Sequence, residues 1–296
     1  MPADRSFALT RATSYSTCLA AAAAGAAQRG VVHSVFYAAA NIVFPGGLVL
    51  SLNAADSARM PNGLELSNSP GTFPFTILRP GMPVLLGAQR LHIESAHCSL
   101  DLSHCTQWNP HINRPERLDR HNIVKNREWL ARYLSTNPLS TSHTLVQSLD
   151  LSSFFADTLV WYLPPAVTLE SDCKIDILPM ARSLCGRGIG LTPSGDDILT
   201  GWIAINWLLY GPLPCLLEAF QQIIAVASQQ THLLSQCWLG YAAEGNVAQP
   251  IQAFLNALCS DNEAELAKTT QAVVAMGATS GYDLLQGMLF GLTNFQ

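Results

Sequence analysis

Val43-Phe44-Pro45-Gly46-Gly47-Leu48-Val49-Leu50-Ser51-Leu52 spells a β-hairpin. Residues 31–44 are rich in β-formers and Ala, Pro-Gly-Gly makes the turn, and 48–52 runs back as the return strand. Downstream, 75–78 precedes the break Arg79-Pro80-Gly81, and 83–87 and 90–94 read as further short strands. Short strands with frequent Gly and Pro over residues 30–108 predict an antiparallel sheet or a small barrel. The first thirty residues, with an Ala-rich run, are expected to add a helix packed against it.

Past residue 113 the periodicity becomes helical. Residues 114–132 gather six of the 16 basic residues and three acids, interleaved with Leu118, Trp129 and Leu130. This is a connection followed by an amphipathic helix with a solvated charged face. Further helices are expected at 152–162, 172–184, 194–210, 215–240, 250–258, 262–276 and 280–292. The fold class is therefore α+β, with a β-rich domain over residues 1–112 and a larger, all-helical domain over 113–296.

Composition narrows the function classes. A chain of 296 residues with 12% charged and 49% hydrophobic side chains buries a large core or offers partners a broad apolar interface, homo-oligomerisation included. A formal charge of −5 supplies no basic field for nucleic acid. Residues 198–217 are uncharged, but Gly211-Pro212-Leu213-Pro214 stops that helix short of a membrane span. No signal peptide is evident. The eight cysteines have no framework spacing, which fits reduced thiols in the cytoplasm. His92, His97-Cys98, His104-Cys105 and His111 match no standard zinc spacing, so neither metal nor cofactor is expected.

One octapeptide pattern occurs twice: Ser194-Gly195-Asp196-Asp197-Ile198-Leu199-Thr200-Gly201 and Ser280-Gly281-Tyr282-Asp283-Leu284-Leu285-Gln286-Gly287, both S-G-x-D-[IL]-L-x-G. Each places Ser where an N-cap belongs and Asp three residues later, a short capping box worth about 1 kcal/mol in any helix. Each also follows small residues, Gly186-Arg187-Gly188-Ile189-Gly190-Leu191-Thr192-Pro193 and Gly277-Ala278-Thr279, so backbone N–H groups are open to an anion. The glycine loop lacks the Lys of a phosphate-binding P-loop and reads G-x-G-x-G, which argues against a nucleotide fold. Asp196 and Asp197 are the candidate catalytic residues. Arg187, Gly188, Gly190, Thr192, Ser194, Gly195, Thr279, Ser280, Gly281 and Asp283 are the candidate substrate-binding residues. Asp197 at N3 is the capping candidate, which leaves Asp196 freer to reach a ligand.

The run from Gly188 to Gly201 resembles the signature of the AllH family. Thr279-Ser280-Gly281-Tyr282-Asp283 resembles that family's second motif, and residues 231–245 resemble its intervening helix. Val32-His33-Ser34-Val35-Phe36 with Asn41, and Leu100-Asp101-Leu102-Ser103 with Trp108, resemble its N-terminal β-region, so the likeness covers most of the chain. Ala278 stands where the family often has His, and Ile189 where Pro is common. The resemblance implies a subunit of an oxamate carbamoyltransferase acting with two other proteins in anaerobic allantoin breakdown. Its reaction moves a carbamoyl group between phosphate and oxamate, with oxalurate and carbamoyl phosphate as the carbamoyl compounds. On that basis, backbone amides after Gly190 and at Ser194 and Ser280, with Arg187 and Thr192, would hold an anionic end, and Asp196 or Asp197 would orient or deprotonate an amide. Two other readings stand beside this one. One is a non-catalytic subunit that binds ligand or holds partners together; the other is a phosphotransferase using Asp196 and Asp197 for Mg²⁺.

Overall fold

The computed structural model describes residues 10–138, 175–293 and 295. The chain divides into two compact units, Met1–Pro110 and His111–Gln296. The helix expected at 152–162 lies outside the described residues, as does the start of that at 172–184.

The first unit is one nine-stranded sheet in the order β8-β7-β6-β2-β3-β4-β5-β1-β9. Its strands are β1 (Ala12–Ser16), β2 (Gln28–Val35), β3 (Ala39–Val43), β4 (Val49–Asn53), β5 (Gly63–Leu66), β6 (Pro83–Gly87), β7 (Arg90–Ile93), β8 (Cys98–Asp101) and β9 (Thr106–Trp108). The opening hairpin is β3–β4. It closes through Phe44 N–H to Leu48 O at 2.9 Å, with Gly46 and Gly47 at φ of 80° and 85°, values that glycine adopts freely. β4 is buried along its whole length, which its apolar Val49-Leu50-Ser51-Leu52 run foretells.

Three details differ from the sequence reading. The strand-like stretch 31–44 is two strands, because the chain reverses at Phe36 and Tyr37 with a Phe36 N–H to Ala39 O bond of 2.7 Å and no Gly or Pro to mark it. Residues 75–78 form turns rather than extended chain. The sheet is mainly antiparallel, but β4–β5 and β1–β9 pair in parallel. Among the described residues the N-terminal α-helix is the short α1 (Ala20–Ala24), ended at Gly25.

Residues that carry the family likeness here hold the backbone in place. Asn41 donates to Ser34 Oγ at 3.1 Å across β2–β3, and Asp101 Oδ1 accepts from the Ser103 N–H and hydroxyl at 2.9 and 2.6 Å.

The second unit is helical: α2 (Arg120–Thr136), α3 (Leu178–Leu184), α4 (Ser194–Tyr210), α5 (Pro214–Gln230), α6 (Leu233–Ala243), α7 (Gln249–Leu258), α8 (Glu263–Val274) and α9 (Ser280–Leu292). α4 is buried on nearly every side, as its continuous apolar text requires, and Gly211 at φ 68° ends it. Among the described residues no helix is long and apolar enough to cross a membrane. The helix expected over 215–240 is two, broken where Thr231 and His232 are extended. Three of the basic side chains at 114–132 have partners within the unit. Arg114 donates to Leu208 O and Leu209 O, Arg127 to Leu292 O and Phe295 O, and Lys125 pairs with Asp261 at 2.6 Å.

Candidate functional site at two helix starts

The two copies of S-G-x-D-[IL]-L-x-G begin α4 and α9, and among the described residues these helices pack on each other more extensively than any other helix pair. A Cβ at Gly201 would overlap Leu284 O, and one at Gly287 would overlap Ile198 O. These contacts are reciprocal under the 86-residue offset between the copies. Gly291 lies against Ile205, and Thr192 Oγ1 is 3.1 Å from Ser280 Oγ, at nearly the same offset. The helices therefore run parallel and in register, with their starts side by side. Parallel dipoles set two partial positive charges next to each other at the starts and two negative ones at the far ends. Arg114 at the end of α4 and Arg127 at the end of α9 meet the negative ends through the carbonyl bonds given above.

The capping assignment is overturned. Pro193 and Thr279 occupy the N-cap positions without side-chain cap bonds, and Ser194 and Ser280 are the first helical residues. Asp197, the expected cap, turns instead to the partner helix: it is 3% exposed, hydrogen-bonded by Ser280, and beside Asp283. Its Oδ2 has no hydrogen-bond partner. Burial pushes its carboxyl well above the ordinary carboxylate range; the Ser280 bond opposes this, and the Asp283 and Asp196 carboxylates add to it. Asp283, at the matching position of α9, is 0% exposed.

Asp196, expected to be the freer acid, has both carboxyl oxygens hydrogen-bonded within the fold. Its Oδ1 accepts the Gly186 N–H at 2.9 Å and its Oδ2 the Thr231 hydroxyl. Burial raises its pKa, opposed by bonds from Thr231, Gly186 and Ser235 and by His232. Thr231, His232 and Ser235 are the neighbours that the residue-by-residue reading missed. Only their place in the family-like stretch 231–245 pointed to them. Asp196 and Asp197 thus face different partners, and Asp196 has both oxygens engaged, so the pair is not arranged to chelate one Mg²⁺ ion.

The glycine loop is a backbone requirement. Gly186, Gly188 and Gly190 have φ of 71°, 127° and 93°, which explains the G-x-G-x-G spelling. The helix-start amides are only partly open to an anion. Gly195 N–H is bonded to Arg187 O at 2.9 Å, and Gly281 N–H to Met276 O at 3.0 Å. Both glycines also sit against backbone, Gly195 on Leu184 and Gly281 on Val273. Arg187, Gly188, Ile189 and Gly190 are exposed, and Thr192, Ser194, Thr279 and Ser280 are half-buried. The structure thus gathers Thr192, Asp197, Ser280 and Asp283, while Asp196 faces Gly186 and Thr231, and Arg187 stands on the outer loop. Elsewhere, among the described residues, the histidines and cysteines between 92 and 111 contribute to no metal-sized group of three, and Cys98 is a buried thiol pushed up to about 11 by desolvation.

Two family models match the chain. That for the oxamate carbamoyltransferase subunit AllH covers residues 184–292, spanning α4 to α9, and that for the AllH family N-terminal domain covers residues 11–107, the sheet. No solved structure matches it. Both units are thus accounted for by one family, and the chain belongs to the AllH family of oxamate carbamoyltransferase subunits.

Proposed function

We propose that the chain serves an oxamate carbamoyltransferase as the subunit that holds the carbamoyl-bearing anion, at the paired starts of α4 and α9. The reaction is oxalurate plus phosphate to or from oxamate plus carbamoyl phosphate, in anaerobic breakdown of allantoin in the cytoplasm, and two other subunits complete the enzyme. The observation that carries this reading is the parallel, in-register packing that puts Thr192 and Ser280 within 3.1 Å. Two positive helix ends beside two hydroxyls favour an anion that also carries amide groups. Arg187, exposed on the glycine loop, is the motif's cation for a carboxylate or phosphate. The site's half-buried rim and partly engaged amides explain why a second protein would be needed to enclose a reacting ligand.

Co-expression with the neighbouring subunits should yield a complex that forms carbamoyl phosphate from oxalurate and phosphate, while this chain alone shows little turnover. Full activity of the isolated chain would defeat the dependence on partners. Failure of any complex to form would favour an independent role.

A further inference from the structure

We propose that Asp197 recognises the carbamoyl terminus of the substrate as a neutral acid, its O–H donating to the carbamoyl oxygen and its C=O accepting from the NH₂. The inference rests on the proposed function for the identity of the ligand, and on the geometry for the residue. Asp197 is 3% exposed, and it lies between the starts of two parallel helices rather than on the outside of either. One carboxyl oxygen is served by Ser280, whose hydroxyl is in turn 3.1 Å from Thr192 Oγ1. The other, Oδ2, has no partner. A buried polar atom without a partner costs free energy unless something supplies the bond. Thr192 and Ser280 are half-buried, so a hydrogen-bonded line runs from the rim inward to the Asp197 carboxyl, beside its open oxygen.

The environment selects the protonation state. Asp283 is the nearest acid across the helix pair and Asp196 the next along α4, and both disfavour a second negative charge; desolvation acts in the same direction. A neutral carboxyl presents one donor beside one acceptor. A terminal carbamoyl group presents the complementary edge, an acceptor C=O beside a donor NH₂. A carboxylate has no donor on its edge and cannot make both bonds. Asp197 would therefore set which end of an elongated anion such as oxalurate points inward, leaving the charged end at the half-buried rim.

The test is calorimetric titration of the full chain, alone and in the co-expressed complex, with oxalurate and with oxalurate carrying a dimethylated terminal nitrogen. Loss of one or two hydrogen bonds, at about 1 kcal/mol each, corresponds to a preference of roughly tenfold for oxalurate. Asp197→Asn keeps a donor beside an acceptor and should keep that preference. Asp197→Ala, confirmed folded by circular dichroism, should bind both compounds weakly and equally. A folded Asp197→Ala that retains the preference overturns the assignment and leaves the proposed function standing. Loss of oxalurate binding in Asp197→Asn to the level of Asp197→Ala also overturns it, because the ionised carboxylate would then be the required form. Absence of binding by the wild-type chain in both settings, to oxalurate and to carbamoyl phosphate, overturns the inference together with the reading it rests on.

Discussion

The start of α4 and the start of α9 share a sequence pattern but not a set of neighbours. What they share builds the helix pair: Gly201 and Gly287 let each helix lie on the other's backbone, and Asp197 and Asp283 are buried between them. What differs ties each helix to its own surroundings. At the third position of the octapeptide α4 has Asp196, which holds Gly186 and Thr231, whereas α9 has Tyr282, whose hydroxyl donates to Leu134 O of α2 at 2.9 Å. A repeated motif can thus be structural in its common letters and individual in its variable ones.

The glycines offer the hardest way to break this comparison. Gly201→Ala places a methyl against Leu284 O, backbone that cannot rotate aside as a side chain would. Overpacking of that kind costs about 1–3 kcal/mol or more, against a helix-propensity gain of about 1 kcal/mol. Because Gly287 meets Ile198 O in the same way, Gly287→Ala should cost a similar amount, and the double variant should lose cooperative thermal unfolding. Unequal losses in chemical denaturation would show that the pairing is symmetric in geometry but not in energy.

Below the double glycine variant comes Asp196→Ala, which removes the acceptor for Gly186 N–H and the Thr231 hydroxyl in a place 1% exposed. Two buried donors left without partners should cost about 2–4 kcal/mol. Tyr282→Phe removes a single bond and should cost about 1 kcal/mol. Guanidinium melts in which the order is reversed would mean that the individual tether of α9 outweighs that of α4.

Much of this was legible beforehand, and the limits are physical. The hairpin at Pro45-Gly46-Gly47 was written in turn chemistry, and α4 and α9 span the residues where their apolar pattern placed them, with Gly211 ending α4. The parallel pairings β4–β5 and β1–β9 were not, because they join segments with no shared turn. The break after Gln230 was invisible for a similar reason: it lies at Thr231, whose hydroxyl is held by Asp196 from another helix. The partners of Asp196 and Asp197 were not legible because a capping pattern reports only local geometry, and here tertiary contacts decide. That the two octapeptides would stand side by side was a hypothesis their likeness allowed; only packing distances could place Thr192 beside Ser280.

A smaller and pH-dependent effect belongs to Asp197. Its carboxyl is raised well above the ordinary value of 3.8 in the folded chain, so the native state binds a proton more tightly than the unfolded one. The stability this confers is fully present below about pH 3.8 and is lost as pH rises through the native value. Asp197→Asn removes that titration and should flatten the decline of melting temperature with rising pH, leaving a residual slope from Asp196, which is raised for the same reason. A slope identical to that of the wild type, measured by calorimetry at several pH values, would place the buried proton elsewhere.

The least effect on folding is expected at Arg187, and that is why it is the sharpest probe of function. Its side chain is exposed on a loop whose shape is set by Gly186, Gly188 and Gly190, and its carbonyl, not its guanidinium, meets α4 through Gly195 N–H. Arg187→Ala should therefore melt within about 0.5 kcal/mol of the wild type. On the proposed function, the same change in the assembled carbamoyltransferase should remove a charge-assisted contact worth about 1.5–3 kcal/mol, a loss of roughly 10- to 100-fold in affinity for the anionic substrate. Arg187→Lys keeps the charge but not the planar fork and should fall between the two. Since α9 has no cation at the matching approach, where Gly277-Ala278-Thr279 stands, a defect confined to the α4 side would make the site as asymmetric in chemistry as it is symmetric in packing. Unchanged turnover and affinity in the complex would take the glycine loop out of the mechanism and leave the helix pair as scaffold alone.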